Sequence, residues 1–499
     1  MRFNEKTKGT NTIVNYEGGL AYKTTPELEL YSLVCNSLLQ DKYYENTSET
    51  LQRLRKLILD VSPSFVLKLS LYAREQMNLR SIPIVLLVEL CKGYKGNLLE
   101  QTITRVIKRA DELTEFLAYY QIANNRTGTK KLNKLAKVLQ HGIANAFDKF
   151  DEYQIAKYNQ KTDIRIRDAL FLTHPKPKNE EQEKLFKKIA NDTLETPYTW
   201  EVELSEAGKN DKSKTQVWEE LLDSNKLGYM ALLRNLKNIL NANVSTGHIQ
   251  KIANKLSNES EVLKSKQLPF RFLSAYRELE MNDNPYTNIL MTALDDAVTI
   301  SVKNLEGFDG NTLVACDVSG SMEHNVSPSS KIQYYDIGLL LGHLLQIKSN
   351  KTITGIFGEK WQIKHFSKKT VLPVEQKLGN VVGHSTNGYL VLEYMIKNKI
   401  LVDKICIFTD CQMYDSVDGV YTPFNKTEPK SFAKNWVMYK QMNPTAKLYI
   451  FDLAGLGQVP VNINEHDVYT ISGWSDKIFA MLNSLEKGST IIKEINEYM

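Results

Sequence analysis

The sequence contains no apolar segment long enough to cross a membrane. Its longest apolar runs, residues 82–91 and 337–347, are interrupted by Glu89 and His343 and are shorter than the ~20 residues that a spanning helix needs. The first residues, MRFNEKTKGTN, are polar where a signal peptide has an apolar core. These absences predict a cytoplasmic protein without a membrane partner.

Cysteine is also scarce, because the 499 residues include only five, widely separated along the chain. No CxxC spacing occurs, which argues against a zinc ribbon or a thioredoxin-type redox site. A disulfide framework is equally disfavoured. The fold must therefore be stabilised by hydrophobic cores. At roughly 100 to 200 residues per domain, the chain length predicts two to four domains.

Arginine is absent after residue 277. Residues 1–300 carry the whole net charge of +5, with 43 basic and 38 acidic residues against 20 and 20 in residues 301–499. The planar guanidinium group suits phosphate, because it binds two oxygens at once. An anionic partner is therefore expected on the first three hundred residues.

The two parts of the chain differ in hydrophobic periodicity. From residue 25 to 280, apolar residues such as Leu51, Leu54 and Leu57 recur at three- and four-residue steps, which predicts stacked antiparallel helix pairs. After about residue 305, short runs rich in β-branched residues alternate with helical stretches, which predicts a doubly wound parallel sheet. The predicted strands are 312–316, 352–357, 404–408 and 447–451, and the predicted helices are 331–347, 390–397 and 475–485.

Oxygen-bearing side chains follow several of these strands and helices. The segment TLVACDVSGSM (312–322) places Asp317, Ser319 and Ser321 at alternate positions after a strand, while Thr386 lies in GHSTNG (383–388) and Asp410 ends ICIFTD (405–410). Ligand sites of such sheets lie beyond the carboxyl ends of the strands. Oxygen ligands suit a hard divalent cation, above all Mg²⁺. A plain turn at residues 317–321 is the alternative.

These segments together resemble a von Willebrand factor type A domain with a metal-ion-dependent adhesion site. The resemblance implies that Ser319 and Ser321 bind the ion directly, that Thr386 does so directly or through water, and that Asp317 and Asp410 act largely through water. It also implies a coordination position that a partner's carboxylate can fill, hence binding without catalysis. An aspartyl phosphatase would need a carboxylate where Ser319 stands, and no P-loop or GxGxxG follows a predicted strand.

Several stretches of the helical part resemble the TROVE domain of the Ro ribonucleoprotein family. They are NYEGGLAY (15–22), LYARE with LRSIP (71–83), TWEVELS (199–205), LGYMALLRNL (227–236) and QLPFRFLSAYR (267–277). The resemblance implies an all-α, HEAT-like ring of helical repeats over residues 12–304, followed by the type A domain over 305–499, in a monomer. It further implies that small noncoding Y RNAs bind an outer basic surface, that single-stranded ends of misfolded RNA enter a central hole, and that an RNA-processing enzyme is a candidate partner.

A dense basic segment matches the region that carries Y RNA contacts in that family. It contains KYNQK (157–161) and LFLTHPKPK (170–178), in which Lys157 and Lys161 lie on one helix face because they are four residues apart. The predicted RNA-binding residues are Lys157, Lys161, His174, Arg165, Arg167, Lys176 and Lys178. A solvated helix face is the alternative for the lysines, and a turn hydrogen bond is the alternative for His174.

Other motif residues allow two interpretations. The motif arginines could contact RNA or form buried pairs, for example with Glu75 or Glu89; they are Arg74, Arg80, Arg234 and Arg271. Trp200 and Tyr229 could stack on bases, although core positions are favoured. The sequence departs from the family pattern at two of these functional positions. Lys161 stands where Arg is frequent, and Ser385 stands where Gly is usual.

The sequence therefore favours a Ro-type RNA-binding scaffold that acts in RNA quality control or processing and has no catalytic activity. The principal rival is a metal-dependent protein adaptor that works through the type A domain, with the helices as a spacer. A ribonuclease that uses His174 and a lysine is a third possibility. It is disfavoured because the segment shows no paired acid and base.

Overall fold

The computed structural model describes residues 12–36, 47–126, 132, 134–159, 162–207, 212–265, 267, 269–304, 308–326, 330–367, 371–372, 379–414, 431–463, 467–473, 482 and 490–498. The chain forms two compact units. Residues 51–227 with 492–499 form one, called here the helical unit, and residues 1–50 with 228–491 form the other, called here the sheet unit. Of the helices in the described ranges, none is both long and apolar enough to cross a bilayer.

Helices follow one another from residue 26 to residue 301, which confirms the helical character predicted for residues 25–280. They are α1 (Pro26–Asn36), α2 (Thr47–Asp60), α3 (Pro63–Glu75), α4 (Ser81–Leu90), α5 (Asn97–Val106), α6 (Glu112–Ala123), α7 (Lys137–Ala146), α8 (Glu152–Tyr158), α9 (Ile166–Thr173), α10 (Glu180–Asn191), α11 (Trp200–Ala207), α12 (Lys214–Asp223), α13 (Tyr229–Asn241), α14 (Thr246–Leu256), α15 (Glu259–Ser265), α16 (Pro269–Leu279) and α17 (Thr287–Ser301). The last helix, Ile491–Glu497, belongs mostly to the helical unit.

The helical unit is built from stacked helix pairs. Helix α3 begins where the Ser62 hydroxyl accepts the Phe65 N–H at 3.2 Å and Pro63 occupies the first helical position. Helices then contact their second neighbours along the chain, α3 against α5, α4 against α6, α5 against α7 and α7 against α9. This pattern is expected of a helical-repeat stack, in which each pair covers the apolar face of the next.

The sheet unit contains both sheets of the described chain. The strands are β1 (Thr12–Val14), β2 (Leu20–Lys23), β3 (Phe308–Asp317), β4 (Ser349–Phe357), β5 (Trp361–Ile363), β6 (Lys404–Thr409), β7 (Lys447–Asp452), β8 (Gln458–Val459) and β9 (Val468–Ser472). The larger sheet has the order β5-β4-β3-β6-β7-β9, in which only β5 runs antiparallel to its neighbour. The helices that follow its strands are α18 (Tyr334–Lys348), α19 (Gly379–Val382), α20 (Tyr389–Lys397) and α21 (Phe432–Met442).

Helices cover both faces of this sheet, as predicted for a doubly wound fold. On one face Gly342 of α18 lies directly against the side chains of Cys316 and Val314. On the other face Leu313 and Ala315 join a core with residues of α20 and α21. Successive residues of β3 therefore alternate between two apolar environments, which explains why the strand reads as a continuous apolar run.

The strand order reverses between β3 and β6. Strand β4 lies on one side of β3, while β6, β7 and β9 lie on the other, and Cys316 pairs in register with Phe408. The loops that leave β3 and β6 at their carboxyl ends therefore diverge and leave a crevice, the usual ligand position in such sheets. Asp317 and Asp410 lie at this edge.

The smaller sheet joins distant parts of the sequence, since the antiparallel hairpin β1–β2 pairs with β8. Helix α1 packs against β9. The hairpin, β5, β8 and β9 were not predicted from the sequence, whereas the four predicted strands lie within β3, β4, β6 and β7. The predicted helix at 475–485 falls outside the described residues except for residue 482. The domain boundaries at 12–304 and 305–499 stay a prediction.

Candidate functional site

Two buried aspartates lie where the strand order reverses. Asp317 ends β3, Asp410 directly follows β6, and both are almost inaccessible to solvent. The Thr409 hydroxyl donates a 2.7 Å hydrogen bond to Asp317 Oδ2, and the Ser319 backbone N–H donates to Asp317 Oδ1 at 3.0 Å. The Thr409 hydrogen bond thus links the carboxyl ends of β3 and β6.

The three loops that carry the predicted metal ligands are joined by backbone hydrogen bonds. The Gly320 N–H donates to the His384 carbonyl at 2.9 Å, and the Tyr414 N–H donates to the Thr386 carbonyl at 3.3 Å. The structure therefore brings together the loops of all five residues, Asp317, Ser319, Ser321, Thr386 and Asp410. Thr386 itself is buried.

The hydroxyl groups of this cluster face the aspartates. Ser319 Oγ and Ser321 Oγ lie 3.4 Å apart, and the Ser321 hydroxyl hydrogen-bonds the Asp410 carboxylate. The Gln412 N–H donates to Asp410 Oδ1 at 3.0 Å. Hydroxyl and carboxylate oxygens are thus within reach of a common point beside the strand ends.

The electrostatics of the cluster fit a bound cation. Burial raises the pKa of both Asp317 and Asp410, and the negative charge of Asp317 adds to the rise at Asp410. A divalent cation between them would offset this repulsion, and an all-oxygen donor set is what Mg²⁺ prefers. In the described part of the chain, no three or more His, Cys, Asp or Glu side chains group so as to hold a metal ion. The hydroxyls are therefore essential to any metal site here.

Sequence reasoning did not find the residues that shape the Asp410 loop. Cys411 adopts a φ of 64°, a left-handed conformation that is uncommon for this residue type, and its N–H donates to the Thr409 hydroxyl at 3.1 Å. Thr409 therefore both bonds Asp317 and holds the turn after Asp410. No local sequence signal marks this role, because it depends on the contact with Asp317, which lies 92 residues earlier in the chain.

The N-terminal hairpin also supports this loop. Asn15 Nδ2 donates to the Met413 carbonyl at 2.6 Å, and the Tyr16 N–H donates to Gln412 Oε1 at 2.9 Å. Gly19 fits directly against residue 413, where a Cβ atom would lie 2.3 Å from the Met413 carbonyl oxygen. The NYEGG motif thus acts as a structural support for this edge of the sheet.

The predicted RNA-binding residues of the described chain lie on α8, directly before α9, on α9 and in the segment after α9. The ones in the described chain are all exposed, namely Lys157, Arg165, Arg167, His174, Lys176 and Lys178. We call these six residues the basic strip. Lys161 lies outside the described residues.

Carboxylates near the basic strip are engaged with other groups. Asp168 Oδ2 accepts the Arg165 backbone N–H at 2.8 Å, and Glu152 binds Lys188 at 2.7 and 2.8 Å. The Arg165 guanidinium lies 3.9 Å from Asp192, at the limit of an ion pair between two exposed groups. Among the described residues, Arg165 is thus the one cation of the strip that has an ion pair.

Aromatic rings accompany the cations of the strip. The Arg109 guanidinium lies 4.4 Å and the Lys157 ammonium 5.6 Å from the centre of the Tyr158 ring. Arg167 lies 5.6 Å from the ring of Phe171, which is half exposed. Exposed rings between cations can stack on nucleic-acid bases while the cations bind phosphate.

His174 ends α9 in a left-handed conformation with a φ of 51°, and its backbone N–H donates to the Leu170 carbonyl at 3.0 Å. This backbone hydrogen bond at the helix end is the one expected if His174 has a structural role in the turn. The imidazole remains exposed.

The TROVE domain family matches residues 28–195 and 191–288, together just over half of the chain. The chain belongs to the TROVE domain family. The TROVE region, residues 28–288, begins in α1 and ends in the first turn of α17. It therefore includes the whole basic strip.

Two curated relatives match part of the chain. Telomerase protein component 1 from Rattus norvegicus is 25% identical over 341 residues, and the protein of the same name from Mus musculus is 27% identical over 341 residues. Each alignment covers 51% of this chain but only 13% of the relative. The chain thus corresponds to a small part of these relatives.

A solved structure matches most of the chain. The crystal structure of the Deinococcus radiodurans RO (RSR) protein superposes with a TM-score of 0.60 over 92% of this chain and 100% of that chain, at 15% sequence identity. The likeness shows a shared fold, with helical repeats followed by a mixed sheet. This agrees with the predicted fold class.

Two arginines of the TROVE-region motifs form structural ion pairs. Arg74 is buried and binds both Glu112 carboxylate oxygens, at 2.7 and 3.0 Å, while its Nε donates to the Val106 carbonyl. Arg80 binds Asp111 at 2.9 Å. The buried pairing considered for Arg74 is confirmed, although its partner is neither Glu75 nor Glu89.

The two glutamates have other partners. Glu75 binds Arg105 at 2.6 Å, and Glu89 binds Arg55 at 2.9 Å. Sequence distance does not predict these pairs, because each joins two different helices.

Of the motif aromatics, Tyr229 has a core position, as favoured, whereas Trp200 is only partly buried. Tyr229 is buried and donates to the Leu256 carbonyl at 2.7 Å, and Trp200 stacks on the buried Trp218 with ring centres 6.1 Å apart. The remaining motif arginines, Arg234 and Arg271, are exposed and form no ion pair within the described residues.

Proposed function

We propose that this chain is an RNA-binding protein of Ro type. It would bind structured small noncoding RNA of the Y-like class on the basic strip, and single-stranded ends of misfolded RNA in the central hole that the Ro resemblance implies. It would act as a scaffold in RNA quality control or processing. Family membership and the Ro fold support the general part of this proposal, an RNA-binding ribonucleoprotein function.

The observation that carries this proposal is the exposed basic strip on the TROVE region. Its cations lie on α8, directly before and on α9, and in the following segment, and among the described residues only Arg165 of the strip has an ion pair. Such a surface binds the phosphate backbone and thus recognises RNA by shape more than by base sequence. Specificity would then come from the fold of the RNA and from its single-stranded ends.

Charge reversal within the basic strip tests this assignment. The triple variant Lys157→Glu, Arg167→Glu, Lys176→Glu should bind a small hairpin RNA roughly a hundredfold more weakly than the wild type, because three phosphate contacts are replaced by repulsion. Fluorescence anisotropy with a labelled RNA measures the change. The matched control is Lys56→Glu, Lys264→Glu, Lys397→Glu, which reverses three exposed lysines elsewhere. Equal affinities of the two variants would remove the strip as the RNA surface.

We also propose a Mg²⁺ site at the sheet edge. The hydroxyls of Ser319 and Ser321 would bind the ion directly, Thr386 directly or through water, and Asp317 and Asp410 largely through water. The ion would supply an electrophilic centre for a partner's carboxylate. Support comes from the two buried carboxylates and the hydroxyls around them, all at the point where the strand order reverses.

This metal site favours a second candidate function, a metal-dependent protein adaptor. Pull-downs with wild type and Asp317→Ala, each with Mg²⁺ and with EDTA, separate the two functions. Protein partners that are lost in the variant and in EDTA, with RNA binding intact, would favour the adaptor. Partners that are retained throughout would exclude it.

We propose that RNA binding occurs without catalysis. Hairpin RNA incubated with the protein, with and without Mg²⁺, should remain uncut. Cleavage that disappears in His174→Ala would instead assign the ribonuclease alternative.

A further inference from the structure

A groove opens between α13 and α16 of the sheet unit. These two helices pack against each other and enclose a cavity of about 330 Å³. Helix α13 contributes Arg234 and Lys237 to its lining, and α16 contributes Arg271, Ser274 and Glu278. The volume lies within the roughly 300–1,000 Å³ that small-ligand sites occupy.

The groove has an excess of positive charge. Its carboxylate, Glu278, lies 3.2 Å from the Lys237 ammonium and 3.3 Å from the Lys331 ammonium, so two lysines already neutralise it. Arg234 and Arg271 form no ion pair with any residue that the structure describes. Two guanidinium groups thus line one cavity without a carboxylate partner among the described residues.

The surroundings of Arg271 make this arrangement unfavourable unless an anion binds. Packing in the groove partly desolvates the guanidinium although it reaches solvent, and this desolvation together with the positive charge of Arg234 lowers the pKa of Arg271. An arginine nevertheless stays protonated in proteins, so the repulsion persists. The ring of Phe270, 4.9 Å from the guanidinium carbon, stacks on Arg271.

We propose that Arg234 and Arg271 form a phosphate-binding site in the groove between α13 and α16. Its ligand is one phosphate group, supplied by the backbone of single-stranded RNA or as the free ion. Guanidinium groups bind phosphate through two parallel hydrogen bonds, and Arg271 lies in the first turn of α16, where the helix dipole favours an anion. The RNA source rests on the proposed function, whereas the phosphate site itself does not.

The test uses the full chain with two arginines neutralised, Arg234→Gln with Arg271→Gln. The matched control is Lys264→Gln with Lys397→Gln, which removes two exposed charges elsewhere in the same unit. A third variant, Arg234→Lys with Arg271→Lys, keeps the charge but loses the bidentate geometry. The probes are a labelled six-nucleotide single-stranded RNA and inorganic phosphate.

The glutamine variant should bind the short RNA about a hundredfold more weakly, about tenfold for each arginine. The slope of log affinity against log salt should become shallower by about 1.4, because two single-strand phosphate contacts are lost. The control should match the wild type. The lysine variant should keep the wild-type salt slope with lower affinity, and inorganic phosphate should compete with the RNA only when the arginines are present.

Phosphate binding that depends on the arginines while RNA affinity does not would identify the free ion as the ligand and support the site. Unchanged binding of both probes in the glutamine variant would overturn it. Hairpin RNA, measured in parallel, should respond to the basic-strip variant and not to the groove variant. A hairpin result that contradicts the basic strip therefore leaves the groove result interpretable by itself.

Discussion

The Arg277 guanidinium and the Asp336 carboxylate form a buried ion pair, with Nη2 2.7 Å from Oδ1. Their side chains are only 5% and 2% exposed. Arg277 lies near the end of α16 in the TROVE region, and Asp336 lies in the first turn of α18, which packs on the sheet. Glu280 also binds Arg277, at 2.9 Å. The pair thus links the last TROVE helices to the sheet.

Replacing Arg277 with Ala should strongly destabilise the sheet unit. Burial raises the pKa of Asp336, and the variant would leave this carboxylate in the interior without its cation. Removing one partner of a buried pair lowers the free energy of unfolding by about 3–5 kcal/mol. Urea unfolding followed by tryptophan fluorescence measures the loss. The exposed Arg234→Ala should change it by less than about 0.5 kcal/mol, and a similarly small effect of Arg277→Ala would contradict the structural role.

Replacing Thr409 with Val should weaken Mg²⁺ binding at the proposed site. The variant loses the 2.7 Å hydrogen bond that orients Asp317, but it keeps every proposed ligand. Loss of such a supporting hydrogen bond lowers metal affinity by about 10- to 100-fold. Titration calorimetry with Mg²⁺ gives the affinity.

Thr312→Val is the matched control for this prediction. Thr312 lies on β3 and is fully buried, and its hydroxyl has no hydrogen-bond partner among the described residues. Its replacement therefore removes a hydroxyl without removing a bond, and metal affinity should stay at the wild-type value. Equal losses in the two variants would point to a general effect on the sheet instead.

Acid should weaken the helical unit through Glu75. Burial acts to raise the pKa of this carboxyl group, but hydrogen bonds from Arg105 and Tyr498 outweigh it and lower the pKa to about 2. Because the folded pKa lies below the usual value of 4.5, the stabilisation is complete above pH 4.5 and disappears as the pH falls towards 2.

Thermal unfolding at several pH values tests this sign. Glu75→Gln should have a lower melting temperature than the wild type at pH 6, and the difference should shrink steadily between pH 4.5 and pH 2. The control Glu115→Gln changes an exposed side chain on α6 and should produce no such trend. A Glu75→Gln difference that grows on acidification would refute the assignment.

Binding of hairpin RNA should depend steeply on salt. If Lys157, Arg165, Arg167, Lys176 and Lys178 each contact one phosphate, the slope of log affinity against log salt should lie between about −3.5 and −4.5. Anisotropy titrations over a fourfold range of KCl give this slope. A slope shallower than about −1 would mean that the strip contributes at most one contact.

The main strands could be predicted because their signal is local. Residues 312–316 form a short apolar run whose side chains all become buried, so the sequence alone identified β3. The hairpin β1–β2 has no such buried run. Val14 is 67% exposed and Leu20 is 50% exposed. Its two strands are stabilised by pairing with each other and with β8. Local composition does not predict such pairing.

In the candidate site, too, local features could be predicted and contacts between distant residues could not. The proximity of Asp317 and Asp410 could be predicted, because parallel strands end at a common edge. The support of their loops by Thr409 and Asn15 could not, since both contacts depend on distant partners. Arg74 and Arg271 illustrate the limit most clearly, because both are motif arginines and only the packing of other helices decides which one is buried.

The pairing of the N-terminal hairpin with β8 has a consequence for biosynthesis. Tyr22 pairs with Val459, and the Tyr31 hydroxyl donates to the Ser472 carbonyl, a separation of 441 residues. At about 5–20 residues per second, a ribosome needs roughly 20–90 s to supply these partners. During that interval α1, which packs against β9 in the finished protein, lacks this partner. The sheet unit can therefore complete its folding only after translation has passed through the whole helical unit.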